Sequence, residues 1–200
     1  MILLLLACRA DPGLPDYPDR EPWTRTGDDF YEDPLAEGED RLGIGVFYEG
    51  ETTEWVPIDD STTHFYIYEN TFTVSVTDRR YEGYEADVIT RGSLAWWGGG
   101  VHWDVGKDLS AYRVLNVAVR SSDTVSWELG MTGGGQESRV GIADYGGVAD
   151  GEWHRLRIPL VDFVGADLRS VTVPLLLIGE AGSAGDSFTI DDLYFTSEGT

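Results

Sequence analysis

From about residue 42 onward the apolar residues recur in short, alternating runs, and no window of twelve or more residues carries a helical apolar period. The runs fall at 44–48, 63–68, 71–76, 84–90, 94–97, 101–104, 114–120, 125–131, 139–143, 153–159, 171–178 and 188–195. They are rich in Val, Ile, Thr, Tyr, Phe and Trp, which suit a pleated, half-buried surface, and Gly, Asp and Ser separate them. Ten or more short strands with turn signals between them predict a β-sandwich or barrel. Single helical turns are expected only near 108–112 and 161–168. Alternation also assigns faces. In 114–120, Leu115, Val117 and Val119 share the face assigned to the core. In 153–158, Trp153, Arg155 and Arg157 share a wetter face, opposed by His154, Leu156 and Ile158.

Residues 9–41 break the pattern. They hold eleven acids, four arginines and five of the eight prolines, a composition of extended chain rather than packed core. The whole chain has 36 acidic against 14 basic residues, a formal net charge of −22. Phosphate recognition needs Lys and Arg clusters, so this balance argues against a nucleic-acid partner and against docking on anionic headgroups. It leaves room for calcium, a neutral ligand or a cationic partner.

Ahead of this acidic stretch, an apolar run ends at the single cysteine, and Leu5-Leu6-Ala7-Cys8 resembles a bacterial lipobox. Cys8 is the expected lipidation site. Residues 1–8 then read as a signal-peptide remnant, 9–41 as a tether and 42–200 as the folded domain. The expected location is the bacterial envelope, with membrane contact through the lipid alone. Arg9 follows the cysteine and no Asp stands there, which resembles outer-membrane sorting. One cysteine permits no intramolecular disulfide, so core, or core plus metal, must hold the domain.

The order of segments resembles the jelly-roll carbohydrate-binding modules of the galactose-binding-like superfamily. Val46-Phe47-Tyr48-Glu49-Gly50 is similar to their opening strand, and Tyr81-Glu82-Gly83-Tyr84 to their second block. Asp108-Leu109-Ser110-Ala111-Tyr112 followed by 115–121 resembles a strand entry of that family. The stretch 150–163, with Trp153, Ile158-Pro159-Leu160 and Phe163, is similar to another block, and 190–195 to the closing strand. The resemblance covers roughly 44–196 and implies an all-β jelly-roll β-sandwich of two antiparallel sheets. It also implies a non-catalytic domain that binds a polysaccharide or other glycan. A structural or protein-interaction lipoprotein is the alternative.

In many such modules one calcium joins the first and last strands. The resemblance puts Glu49 at the early ligand position and Asp191 or Asp192 at the late one, with carbonyls near Glu51 or Glu82 completing the shell. Calcium takes six to eight hard oxygens, and two adjacent acids in a core strand otherwise repel and resist burial. The competing reading has one acid in solvent and the other accepting backbone N–H bonds.

Sugar sites use aromatic faces, because pyranose C–H groups pack against the ring while polar groups bond the hydroxyls. Aromatic residues make up 12% of the chain, and they cluster in 95–104, with Trp96, Trp97 and Trp103 around Gly98-Gly99-Gly100. Trp96 and Trp97 are adjacent, so on a strand they face opposite ways and at most one is core. Tyr145 and Trp153 are expected on the same sheet. His64, His102 and His154 form no H-E-x-x-H or H-x-H unit, and ordinary hydrogen-bonded side chains are the expectation for them. No G-x-S-x-G elbow and no phosphate loop is present. No positioned acid/base set emerges, so catalysis is not expected.

Overall fold

The alternating runs become twelve strands in the computed structural model, which describes residues 35–123, 126–180 and 182–197. Cys8 and most of the acidic tether lie outside the described residues. The larger sheet contains β1 (Arg41–Gly43), β2 (Glu54–Trp55), β4 (Phe72–Thr77), β5 (Ala86–Arg91), β7 (Val114–Arg120), β10 (Trp153–Pro159) and β12 (Ser187–Thr196). Its order is β10-β7-β12-β1-β2, with β5 also paired to β12 and β4 outside β5. The smaller sheet contains β3 (Thr63–Ile67), β6 (Trp97–Trp103), β8 (Glu128–Gly133), β9 (Gln136–Gly141) and β11 (Val171–Gly179), in the order β3-β6-β11-β8-β9. This is the jelly-roll sandwich the sequence predicts. One pairing departs from a purely antiparallel plan, since β1 and β2 run parallel.

Each sheet turns one set of alternating residues inward. Leu115, Val117 and Val119 of β7, Leu156 and Ile158 of β10, and Ile190 of β12 meet Phe65, Val101, Leu129, Met131, Leu175 and Leu177 of the smaller sheet. Each such buried side chain contributes about 1.5–3 kcal/mol of transfer free energy. Trp127 and Phe188 stack within this core at 4.2 Å between centroids. The segment around Ser197 donates to the Asp40 carbonyl at 2.9 Å, tying the last strand to the start of the first. No helix among the described residues is long and apolar enough to cross a membrane.

Two segments differ from the sequence reading. Only the end of run 94–97 and most of run 101–104 enter one strand, β6, with the glycine triplet inside it and 94–96 outside. A Cβ at Gly99 would come within 2.8 Å of Phe72 Cζ, so the absent side chain is what lets Phe72 reach the core. The run 44–48 is buried but irregular: Ile44, Val46, Phe47 and Tyr48 are core residues on a bent segment in which Gly45 and Phe47 both have positive φ.

Candidate functional site

Strand period 2 divides β3 and β6 cleanly. Thr63 and Phe65 point inward, as do Trp97, Val101 and Trp103, which leaves His64 and Tyr66 on the outer face with Gly98, Gly100 and His102. The rings on that face form a row. Centroid separations are 5.8 Å from His64 to Tyr66, 5.2 Å from Tyr66 to His102 and 5.9 Å from His102 to Tyr68. Tyr68 comes from the 3-10 turn Tyr68–Asn70 that follows β3. At the far end of the row, Tyr68 and Trp96 flank Gly98: a Cβ there would lie 3.3 Å from the first and 3.4 Å from the second.

Sheet register extends this row into a surface. Tyr66 pairs with Gly100, Gly100 with Leu176, Leu176 with Gly130 and Gly130 with Arg139. One line across five strands therefore has a tyrosine at one end, an arginine at the other, and only glycine and leucine between. Leu176 points outward yet is 3% exposed. A Cβ at Gly130 would sit 2.9 Å from its Cδ2, so Gly130 leaves room for a low, apolar floor. On the far side Arg139 donates from Nε to Glu137 Oε1 at 2.6 Å, and Nη1 lies 3.7 Å from Glu128 Oε2.

The face carries one internal polar link. Tyr68 Oη and His102 Nε2 are 2.7 Å apart. Burial pushes the Tyr68 hydroxyl up to about 12, with the Glu137 charge adding to it, so the phenol keeps its proton. Burial also pulls His102 below the ordinary imidazole value, with the neighbouring His64 adding to the shift, so His102 is neutral near pH 7. His64 Nε2 faces Asp104 Oδ2 at 3.4 Å. Half-buried rings over a flat floor, with a guanidinium and carboxylates at the rim, match the two needs of sugar recognition: a C–H stacking surface and hydroxyl partners.

The residues named from sequence do not form this platform together. Trp97 and Trp103 are core, 1% and 3% exposed. Trp97 packs against Phe72, Trp127 and Phe188, so neither residue offers a face to a ligand. Trp96 is partly exposed and adjoins the ring row, as the opposite facing of adjacent strand residues requires. Tyr145 and Trp153 do not share its sheet. Tyr145 sits in a turn after β9 and donates to Asp162 Oδ2 at 2.8 Å. Trp153 begins β10 of the larger sheet and meets Tyr81 edge-on at 5.7 Å. His64, Tyr66, Tyr68 and His102 were missed as a set. The available signal was alternation: His64, Tyr66 and Tyr68 share one parity in their run, and Gly98, Gly100 and His102 share one in theirs.

A second cluster lies on the larger sheet, where a bulge in β12 places Asp192 at φ 53°. Asp191 accepts from the backbone N–H groups of Tyr81 at 2.8 Å, Glu82 at 3.0 Å and Asp192 at 2.8 Å. Glu49 accepts from Tyr84 N–H at 2.6 Å. These two acids therefore brace the 81–85 loop. Asp192 differs. It is 0% exposed, the Glu82 carboxyl lies beside it, and Arg155 Nε stands 3.9 Å from its Oδ2. Burial, followed by the neighbouring Glu82, raises its carboxyl well above the usual range. A hard cation suits such a carboxylate, since it would offset both the burial and the repulsion. Among the described residues no three His, Cys, Asp or Glu side chains converge as a ready ligand set, so backbone carbonyls would have to complete the shell.

Residues 44–197 match the sequence profile of carbohydrate binding domain 30. The chain belongs to that family. Domains of this kind bind carbohydrate and do not cleave it, which agrees with the absence of an acid/base set in the sequence. Three solved structures, all from Clostridium thermocellum or its cellulases, share the fold. The family 30 module of cellulosomal cellulase Cel9D-Cel44B is 20% identical, covers 68% of this chain and 87% of its own, and has a TM-score of 0.51. The family 11 module of cellulosomal cellulase Lic26A-Cel5E is 12% identical over 68% of this chain and 88% of its own, with a TM-score of 0.50. A family 11 module in complex with a β-1,3-1,4-mixed-linked tetrasaccharide is 13% identical over 78% of this chain and 94% of its own, with a TM-score of 0.51. No curated protein matches the chain.

Proposed function

We propose that this family 30 domain holds an uncharged, linear polysaccharide on the outer face of its five-stranded sheet. The observation that carries the reading is the ring row His64–Tyr66–His102–Tyr68 beside a floor of Gly98, Gly100, Leu176 and Gly130. Tyr66 and Tyr68 supply stacking surfaces, and Arg139 with Glu137 and Glu128 faces the sugar hydroxyls from the other side. The net charge of −22 repels polyanions at long range. The structural relative solved with a mixed-linkage tetrasaccharide makes β-glucans the first ligands to try. Titration calorimetry against neutral β-glucans and a polyuronate checks this: the glucans bind and the polyuronate does not. No heat from any neutral glucan at millimolar sugar defeats the reading.

The proposal includes a structural calcium ion at the Asp192 junction, with Asp192 and Glu82 as the acids whose burial a cation would relieve and Glu49 and Asp191 bracing the loop beside them. The pH dependence gives a test. A carboxyl whose folded pKa is raised stabilises the fold fully below its unfolded pKa of about 3.9, and loses that contribution as pH rises through the raised value. In EGTA, the melting midpoint of wild type relative to Asp192→Asn should therefore fall between pH 5 and pH 8. Calcium should raise the wild-type midpoint at pH 8 and leave Asp192→Asn unmoved. Asn tolerates the positive φ at this position, so the variant isolates the charge. A wild-type midpoint that ignores both EGTA and calcium rules the ion out.

Lipid attachment at Cys8 would place the domain on the bacterial envelope, at the outer membrane, with the acidic segment ahead of β1 as a spacer; Arg41, read from sequence as the end of that tether, is a buried residue of β1. Labelling of the full chain with a fatty-acid analogue, lost in Cys8→Ser, is the expected result in a bacterial host.

A further inference from the structure

The ring row contains two imidazoles, and one of them is built into its centre. His102 lies between Tyr66 and Tyr68, meeting both edge-on with interplanar angles of 76° and 79°. Its Nε2 is taken up by the Tyr68 hydroxyl at 2.7 Å. Any sugar stacked on the two tyrosines must also cover His102. From these contacts we propose that His102 is a proton switch on the glycan platform, holding ligand when neutral and releasing it when protonated. The proposal rests on the platform reading above and adds its regulation.

Two physical effects give the sign. First, Tyr68 keeps its phenolic proton, which needs an acceptor; neutral His102 with a bare Nε2 provides one. Protonation puts a hydrogen on Nε2, so the bond must invert, and the Tyr68 O–H must turn to water or to the ligand. Second, a pyranose ring laid over the row replaces water with C–H groups. Removing water from an imidazolium costs free energy, whereas removing it from a neutral imidazole costs far less. Bound glycan therefore favours neutral His102, and by reciprocity a proton on His102 weakens the glycan.

Among the described residues, no carboxylate pairs with His102 to hold the proton. The groups facing His102 are His64 and Tyr66 on β3 and Tyr68 in the turn after it. On β11 the neighbours Pro174 and Leu176 carry no charge. Asp104, just past the end of β6, is engaged by His64 at 3.4 Å. Glu137, on β9, acts on Tyr68. His64 itself opposes His102 across the β3–β6 ladder, so a charge on one imidazole disfavours charge on the other. His102 is accordingly displaced below the ordinary imidazole value by burial and by His64, and the release falls on the acid side of it.

The test is the affinity of the full chain for a soluble neutral β-glucan between pH 7.5 and pH 4.5, with the fold monitored by near-ultraviolet circular dichroism. One linked proton gives an affinity that falls by up to about tenfold per pH unit below the His102 transition. In His102→Gln the pH dependence of whatever affinity remains should vanish. In His64→Gln it should persist with its midpoint moved toward neutral, because the opposing charge is gone. An imidazole NMR titration of the free protein should show His102 titrating below the ordinary imidazole value, and glucan should lower the His102 midpoint further. Wild-type affinity that stays flat to pH 4.5, or a slope that survives in His102→Gln, overturns the switch while leaving the platform standing. An absence of binding at pH 7.5 overturns the platform and the switch together.

Discussion

Replacing Tyr66 and Tyr68 together with alanine is expected to raise the dissociation constant for neutral β-glucan by two to three orders of magnitude. Central aromatic anchors in a binding surface cost about 2 kcal/mol or more when truncated, roughly a 30-fold loss each. The two rings share His102, so their effects need not add, and the single variants belong in the same experiment. The phenylalanine variants separate the two roles of the residues. Tyr66→Phe keeps a stacking surface and should keep most of the affinity. Tyr68→Phe removes the donor to His102 Nε2 and should change the pH profile more than the affinity at pH 7.5. Calorimetry on the five variants decides the matter; a double alanine variant that binds within threefold of wild type places the sugar elsewhere. Both side chains are on the outer face, so the melting midpoint should move by a few degrees at most.

The second large effect is on stability. Trp97→Ala should destabilise the domain by about 3–5 kcal/mol, the range for emptying a buried tryptophan site. Trp97 is among the largest fully buried side chains, wedged against Phe72 at 5.8 Å and Phe188 at 5.5 Å. Folded domains hold only about 5–15 kcal/mol in reserve, so this one change takes a large share. For a domain of this size the midpoint should drop by about 10 °C. Trp96→Ala, one residue earlier, should leave the midpoint nearly unchanged and weaken glucan binding instead, because its ring lies at the end of the platform. Thermal melts beside binding isotherms for the pair of variants give the answer. If Trp96→Ala unfolds the protein and Trp97→Ala only weakens binding, the assignment of faces is reversed.

That pair also shows where reading a chain stops. Adjacent strand residues must face opposite ways, which was legible, but which of the two is core depends on what lies behind the strand. Phe72 and Phe188, distant in sequence, close over Trp97. Trp103 is core for the same reason of parity, one pleat repeat from Val101. Tyr145 and Trp153 looked equally available, yet sheet order sends them to other surfaces. From sequence the histidines are expected to be ordinary hydrogen-bonded side chains. His102 is hydrogen-bonded, to Tyr68, but the partner and the ring row around it exist only because β3 pairs with β6 in one register. Of the adjacent acids, Asp191 takes the backbone N–H bonds that a metal-free reading expects of one of them, and Asp192 is buried beside Glu82 instead of facing solvent.

By itself, then, the sequence determined an all-β sandwich, the faces of β7 and β10, and a family likeness, because period 2 and turn chemistry are local and survive without coordinates. The tertiary structure alone decided which side chains share the proposed glycan platform. Tyr66, Gly100, Leu176, Gly130 and Arg139 come from five strands, and only the order β3-β6-β11-β8-β9 with its register brings them into one line. Strand order and register are set by long-range packing of inward side chains, and a shift of one residue would turn each of these side chains to the opposite face.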